Sequence, residues 1–119
     1  MKKTVVLGAS PNPARFSYKA VKSLVLHGYE VVPVGFRPGV AHDRLIQRGT
    51  PAIEHVHTIT LYIGPERQLE FYDYILSLKP KRVIFNPGTI NPTLMHELNK
   101  RGVEVVDGCT LVMLDNEEF

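Results

Sequence analysis

Gly8, Ala9 and Ser10 close an apolar run and stand just ahead of a helical pattern that opens near Ser17. A glycine lets backbone approach a phosphate closely, and a helix N-terminus turns unpaired N–H groups toward an anion. The stretch therefore reads as a phosphate loop, stiffened by Pro11 and Pro13, with Ser10 adding a small hydroxyl donor. It lacks the second and third glycines of a dinucleotide fingerprint. It also lacks the Gly-Lys-Ser/Thr ending of a nucleotide-hydrolysing loop, so ATP hydrolysis is not expected.

A second apolar run ends in Gly35, Phe36 and Arg37. An NAD site usually places Asp or Glu there to hold the free ribose hydroxyls; Glu30 precedes the run and lies at its wrong end. Arginine suits a phosphate on the ribose, as in NADP or coenzyme A, and Phe36 offers a surface to adenine. Other chemistry is harder to assemble. His55 and His57 share a strand face near Glu54 and His42, but no third ligand has a recognisable spacing, so no metal site is expected. Tyr62, Tyr72 and Tyr74 read as core or helix-face residues. No close acid–base pair, Ser-His-Asp order or activated-lysine motif is present, and catalysis by this chain alone is not expected.

These residues need elements that bring their loops together. Residues 4–7 are a β-branched, buried-strand run, and residues 17–27 carry Val21, Leu24 and Val25 at helical spacing with Gly28 behind. Residues 31–34 form a second strand, 35–51 read as a long loop, and 58–63 form a third strand. Pro65 opens a helix whose inner face is Leu69, Tyr72 and Leu76. Residues 82–85 make a fourth strand. Asn91 and Pro92 then start a helix with Leu94 and Leu98 inside, and Gly102 closes it. Residues 104–106 are a fifth strand, and 109–114 a last turn or short helix.

Strands alternating with helices imply a parallel sheet covered on both faces, and right-handed crossovers leave few topologies. The expectation is one α/β domain over residues 1–119: a Rossmann-like, doubly wound, five-stranded parallel sheet of order 3-2-1-4-5. The flavodoxin-like order 2-1-3-4-5 is the second choice. Ligands in such sheets lie beyond the strands' carboxyl ends, where the order reverses. The first order puts that crevice between the first and fourth strands, against residues 8–10 and Asn86, Pro87, Gly88 and Thr89. Residues 35–39, Gly64 and Pro65 flank it.

The 119 residues are 44% hydrophobic and 22% charged, which excludes disorder, collagen and coiled coil. A single cysteine, Cys109, excludes a disulfide framework and multi-cysteine metal sites. No apolar run reaches the ~18 residues of a membrane span, and the Lys2-Lys3 opening is followed by too short an apolar stretch for a signal peptide. A cytoplasmic domain without membrane contact is expected. The net charge of +2 gives no reason to expect nucleic acid. Residues 1–50 nevertheless hold eight basic and two acidic residues, and 51–119 six and ten, so the first part could favour a phosphorylated ligand.

Residues 8–21, GASPNPARFSYKAV, with 28–34, GYEVVPV, resemble the opening of small stand-alone CoA-binding proteins. These are similar to the CoA-binding domain of the succinyl-CoA synthetase α subunit. Residues 86–109, NPGTINPTLMHELNKRGVEVVDGC, resemble the same family's later loop, helix, strand and terminal cysteine. The resemblance implies a Rossmann-like fold with coenzyme A along the carboxyl edge of the sheet. Gly8, Ala9 and Ser10 would hold the pyrophosphate, with Arg15 nearby. Gly64 and Pro65 match the loop after the third strand, and Gly88 the loop after the fourth. The family usually has Asn-Pro and a basic residue where this chain has Gly35-Phe36-Arg37, so Arg37 would keep the basic role while the adenine side differs.

The phosphorylated-histidine domain of the synthetase is absent from these residues. The expectation is non-catalytic binding of coenzyme A or an acyl-CoA, in sensing or regulation. An NADP-binding oxidoreductase module is one alternative. The other is a thiol enzyme in which Cys109, at the same edge, attacks acyl-CoA or forms a mixed disulfide with CoA. Homodimerisation suits a short domain, although nothing in the sequence specifies it.

Overall fold

The computed structural model describes residues 2–119. In chain order the elements are β1 (Thr4–Ala9), α1 (Phe16–Leu26), β2 (Val31–Gly35), β3 (Val40–Ala41), β4 (Arg44–Leu45), β5 (Gln47–Arg48) and β6 (Thr58–Leu61). Then come α2 (Pro65–Gln68), a 3-10 turn (Leu69–Phe71), α3 (Tyr72–Ser77), β7 (Arg82–Phe85), α4 (Pro92–Lys100), β8 (Glu104–Asp107) and α5 (Thr110–Asp115). One six-stranded sheet has the order β5-β2-β1-β6-β7-β8, and β3 and β4 make a separate antiparallel ribbon. Every pairing in the large sheet is parallel.

The doubly wound α/β architecture is the expected one, but strand count and order differ. The strand expected third does not lie outside β2; as β6 it pairs with β1, Thr4 opposite Thr58 and Leu7 opposite Leu61. The outer place goes to β5, from the segment read as loop, held at Val34–Gln47 and Gly35–Arg48. The long strands alone therefore follow 2-1-3-4-5. With β5 included the order is 3-2-1-4-5-6. Both β5 residues are exposed, so no apolar alternation marks them as a strand. The reversal of order thus falls beside β1 as expected, but its other wall is β6, the strand expected third, and not β7, the strand expected fourth.

Alternation along the strands builds two cores. Val5, Leu7, Ile59, Leu61, Val83 and Phe85 pack with Phe71, Tyr74, Ile75, Leu94 and Leu98 on one face. Val6, Ala9, Val31 and Ile84 pack with Val21, Leu24, Leu114 and Phe119 on the other. Strand residues two apart share a face, so consecutive buried residues feed both cores and the run reads as continuously apolar.

α4 starts as expected: Asn91 caps it by accepting from the Leu94 N–H, Pro92 occupies the first turn, and Leu94 and Leu98 are buried. The helix after Pro65 is a correction. Leu69 is 67% exposed, while Gln68, Phe71, Tyr74 and Ile75 are buried. The 3-10 turn winds tighter than an α-helix and so rotates the inward face. No described helix is long and apolar enough to cross a membrane.

Candidate functional site

The first loop is shaped by two close approaches. The β1–β2 register slips between Leu7–Val34 and Ala9–Gly35, leaving Gly8 as the extra residue. Gly8 has φ +99°, and a Cβ there would lie 2.9 Å from the Ile63 side chain and from the Tyr62 backbone. At Gly35 a Cβ would lie 2.2 Å from the Ala9 carbonyl oxygen. Beyond this point Ser10 Oγ accepts from the Asn12 N–H at 3.1 Å, and Asn12 Oδ1 accepts from the Ala14 N–H at 3.0 Å. These two side-chain turns deliver the chain into α1, which has neither a side-chain cap nor an acidic residue in its first turn. Its leading N–H groups are left to whatever lies in front of them.

In front of them is a cleft of about 630 Å³ at the carboxyl ends of β1, β2 and β6. Its walls include Gly8, Ala9, Ser10, Arg15, Phe36, Arg37 and Gly64, all expected from sequence. Pro11, Asn12, Phe16, Ser17, Tyr62, Ile63 and Arg67 complete it. Three arginines, Arg15, Arg37 and Arg67, thus border one space. None of them takes part in the ion pairs of the described residues, which join Lys3 to Glu30 and Glu97 to Lys100 and Arg101. Arg67 escaped the sequence reading. The usable signal was its place in the first turn of a helix that starts at the ligand edge of the sheet.

Tyr62, expected as a core or helix-face residue, packs partly buried against the second core and also forms part of the wall. Burial, and then the nearby Cys109 side chain, push its phenol well above its ordinary pKa. Cys109 itself is half-buried ahead of α5. Among the described residues no three His, Cys, Asp or Glu side chains gather as a metal site would require.

Asn86, Pro87, Gly88 and Pro65 do not line this cleft. Asn86 is 1% exposed, and its amide is fully engaged. It donates to Thr60 Oγ1 at 2.6 Å and to the Leu61 carbonyl at 2.7 Å, and accepts from the Thr110 N–H at 2.9 Å. It therefore locks β7 to β6 and to the start of α5. Buried Gln68 joins the next pair of loops, donating to the Ile63 carbonyl at 2.9 Å and the Thr89 carbonyl at 2.7 Å. Its Oε1 accepts from Asn91 at 3.0 Å. A Cβ on Gly64 would come within 4.0 Å of the Gly88 carbonyl oxygen, so these loops are neighbours beside the cleft.

A family model described as a CoA binding domain matches residues 2–115. The chain belongs to this CoA-binding domain family. Nothing among curated proteins matches it. A crystal structure of an uncharacterized protein is 53% identical, with a TM-score of 0.97 over 100% of this chain and 98% of that one. A conserved hypothetical protein from Pyrococcus furiosus is 26% identical, with a TM-score of 0.77 over 89% of this CoA-binding domain and 92% of that chain. The same fold occurs inside the larger acetyl-coenzyme A synthetase 1 of Ca. Korarchaeum cryptofilum. That match has 14% identity and a TM-score of 0.73, covering 90% of this domain and 25% of the synthetase chain.

Proposed function

We propose that this CoA-binding domain holds coenzyme A or an acyl-CoA along the carboxyl edge of its sheet without reacting with it, as a sensing or regulatory module. One observation carries the reading: the uncapped start of α1 and three arginines with no carboxylate partner among the described residues surround a single cleft at the point where strand order reverses. That arrangement suits a ligand with a pyrophosphate and a further ribose phosphate. The pyrophosphate would lie on Gly8, Ala9 and Ser10 with Arg15 beside it, and Arg37 would take the ribose phosphate. The pantetheine arm would pass Gly64 and Pro65 toward Pro87 and Gly88, where Asn86 fixes the loop from within. That the same fold occurs inside an acetyl-coenzyme A synthetase accords with this reading.

Binding without chemistry is supported by the groups present. Arginine neither gives nor takes a proton near neutrality, and Tyr62 is pushed further from doing so. Arg37 at the end of β2 also suits NADP, which makes that dinucleotide the comparison to run. Thermal unfolding of the chain with CoA, NAD, NADP and ATP in parallel tests the reading. At a hundredfold its dissociation constant a ligand adds ~2.7 kcal/mol, moving the midpoint by roughly 5–15 °C at this size. A shift with CoA and not with NADP is the expected result; the reverse would replace CoA by NADP. Acetyl-CoA incubated with the domain should keep its thioester. Turnover abolished by Cys109→Ala would overturn the non-catalytic role.

A further inference from the structure

The Phe36 ring does not stand free at the end of β2. The Arg67 guanidinium carbon lies 3.7 Å from its centroid, a stacking distance. Phe71 meets the same ring edge to face at 5.7 Å. Phe71 is 8% exposed and Phe36 39%, so the stack grows outward from the core: Phe71, then Phe36, then Arg67. Both outer members line the cleft. A guanidinium seated on a ring keeps its second planar face open, and Arg67 has no carboxylate partner among the described residues to turn it away.

We infer that the outer face of the Arg67 guanidinium receives the adenine of the bound ligand, with Phe36 as its support. The inference rests on the reading that coenzyme A occupies the cleft, and it moves the base from Phe36 to the cation covering that ring. Guanidinium planes stack on nucleobases much as aromatic rings do. Lysine, a point charge on a flexible stem, offers no such plane. The arrangement also assigns the two arginines different tasks: Arg37 takes phosphate charge, and Arg67 supplies a flat surface.

Calorimetric titration of the full chain tests this, using wild type, Arg67→Ala, Arg67→Lys and Phe36→Leu against CoA, dephospho-CoA and 4′-phosphopantetheine. All three variants should weaken CoA and dephospho-CoA alike, by about tenfold, which corresponds to ~1.4 kcal/mol. Binding of 4′-phosphopantetheine, which has no base, should not change. Arg67 is exposed, so the Arg67 variants should unfold close to the wild-type temperature. Full affinity in Arg67→Lys would mean that charge alone matters, and the inference would fall. It would also fall if Arg67→Ala weakened CoA but spared dephospho-CoA, since Arg67 would then read the ribose phosphate. Unchanged affinities throughout would overturn it while leaving CoA binding intact. A wild-type chain that binds none of the three probes would overturn both readings.

Discussion

An alanine methyl at position 8 would meet Ile63 Cγ2 and the Tyr62 carbonyl group at 2.9 Å, on backbone with φ +99°. Gly8→Ala should therefore cost about 1–3 kcal/mol of stability, read by urea unfolding, and should reduce the thermal response to CoA. Gly35→Ala should cost more, because the obstacle is the Ala9 carbonyl oxygen at 2.2 Å and a backbone atom cannot rotate aside. Gly8 is legible from its place at a strand end before a helix, which is local information. Gly35 is legible as an edge residue, but the bulge of β1 against it depends on pairing between distant segments. Asn86 was legible as a residue of the right loop. That its amide faces inward follows from Thr60, Leu61 and Thr110, which reach it from elsewhere in the chain.

Among the elements, the contrast is between α4 and the broken helix after Pro65. The signals of α4 all lie within it: Asn91 cap, Pro92 in the first turn, Leu94 and Leu98 one turn apart. The phase of α2 and α3 is governed by Gln68, a polar residue that is fully buried only because two other loops offer it carbonyls. Periodicity of apolar residues cannot report that. Replacing it by a similar-sized apolar residue, Gln68→Leu, leaves the Ile63 and Thr89 carbonyls without that donor. The expected loss is about 2–4 kcal/mol in urea unfolding, with CoA affinity falling as the Gly64 and Gly88 loops part. Unchanged stability would show that water or backbone adjustment replaces the network.

For the molecule as a whole, acid stability should depend on the sheet's amino end, opposite the cleft. His57 lies there, Nδ1 2.8 Å from Thr58 Oγ1, and the same hydroxyl oxygen accepts from Arg82 Nε at 3.0 Å. Burial, then the positive charges of Arg82, Lys2 and Lys81, hold its pKa below the usual 6.5, outweighing Glu104. The unfolded chain therefore takes up this proton first. The contribution to stability is complete above pH 6.5 and is lost as pH falls below it. Unfolding midpoints should drop below pH 6.5, and His57→Gln should flatten that drop; an equally steep curve would remove His57 as its cause. The amino-acid order alone settled the alternation of strands and helices, the buried strands, the α4 cap and the phosphate loop, because each is written in neighbouring residues. Only the tertiary structure decided that β6 pairs with β1, that β5 forms an edge strand, and that Arg67 lies over Phe36. Those outcomes depend on contacts between distant segments, where packing against a common sheet selects among pairings that local patterns leave equivalent.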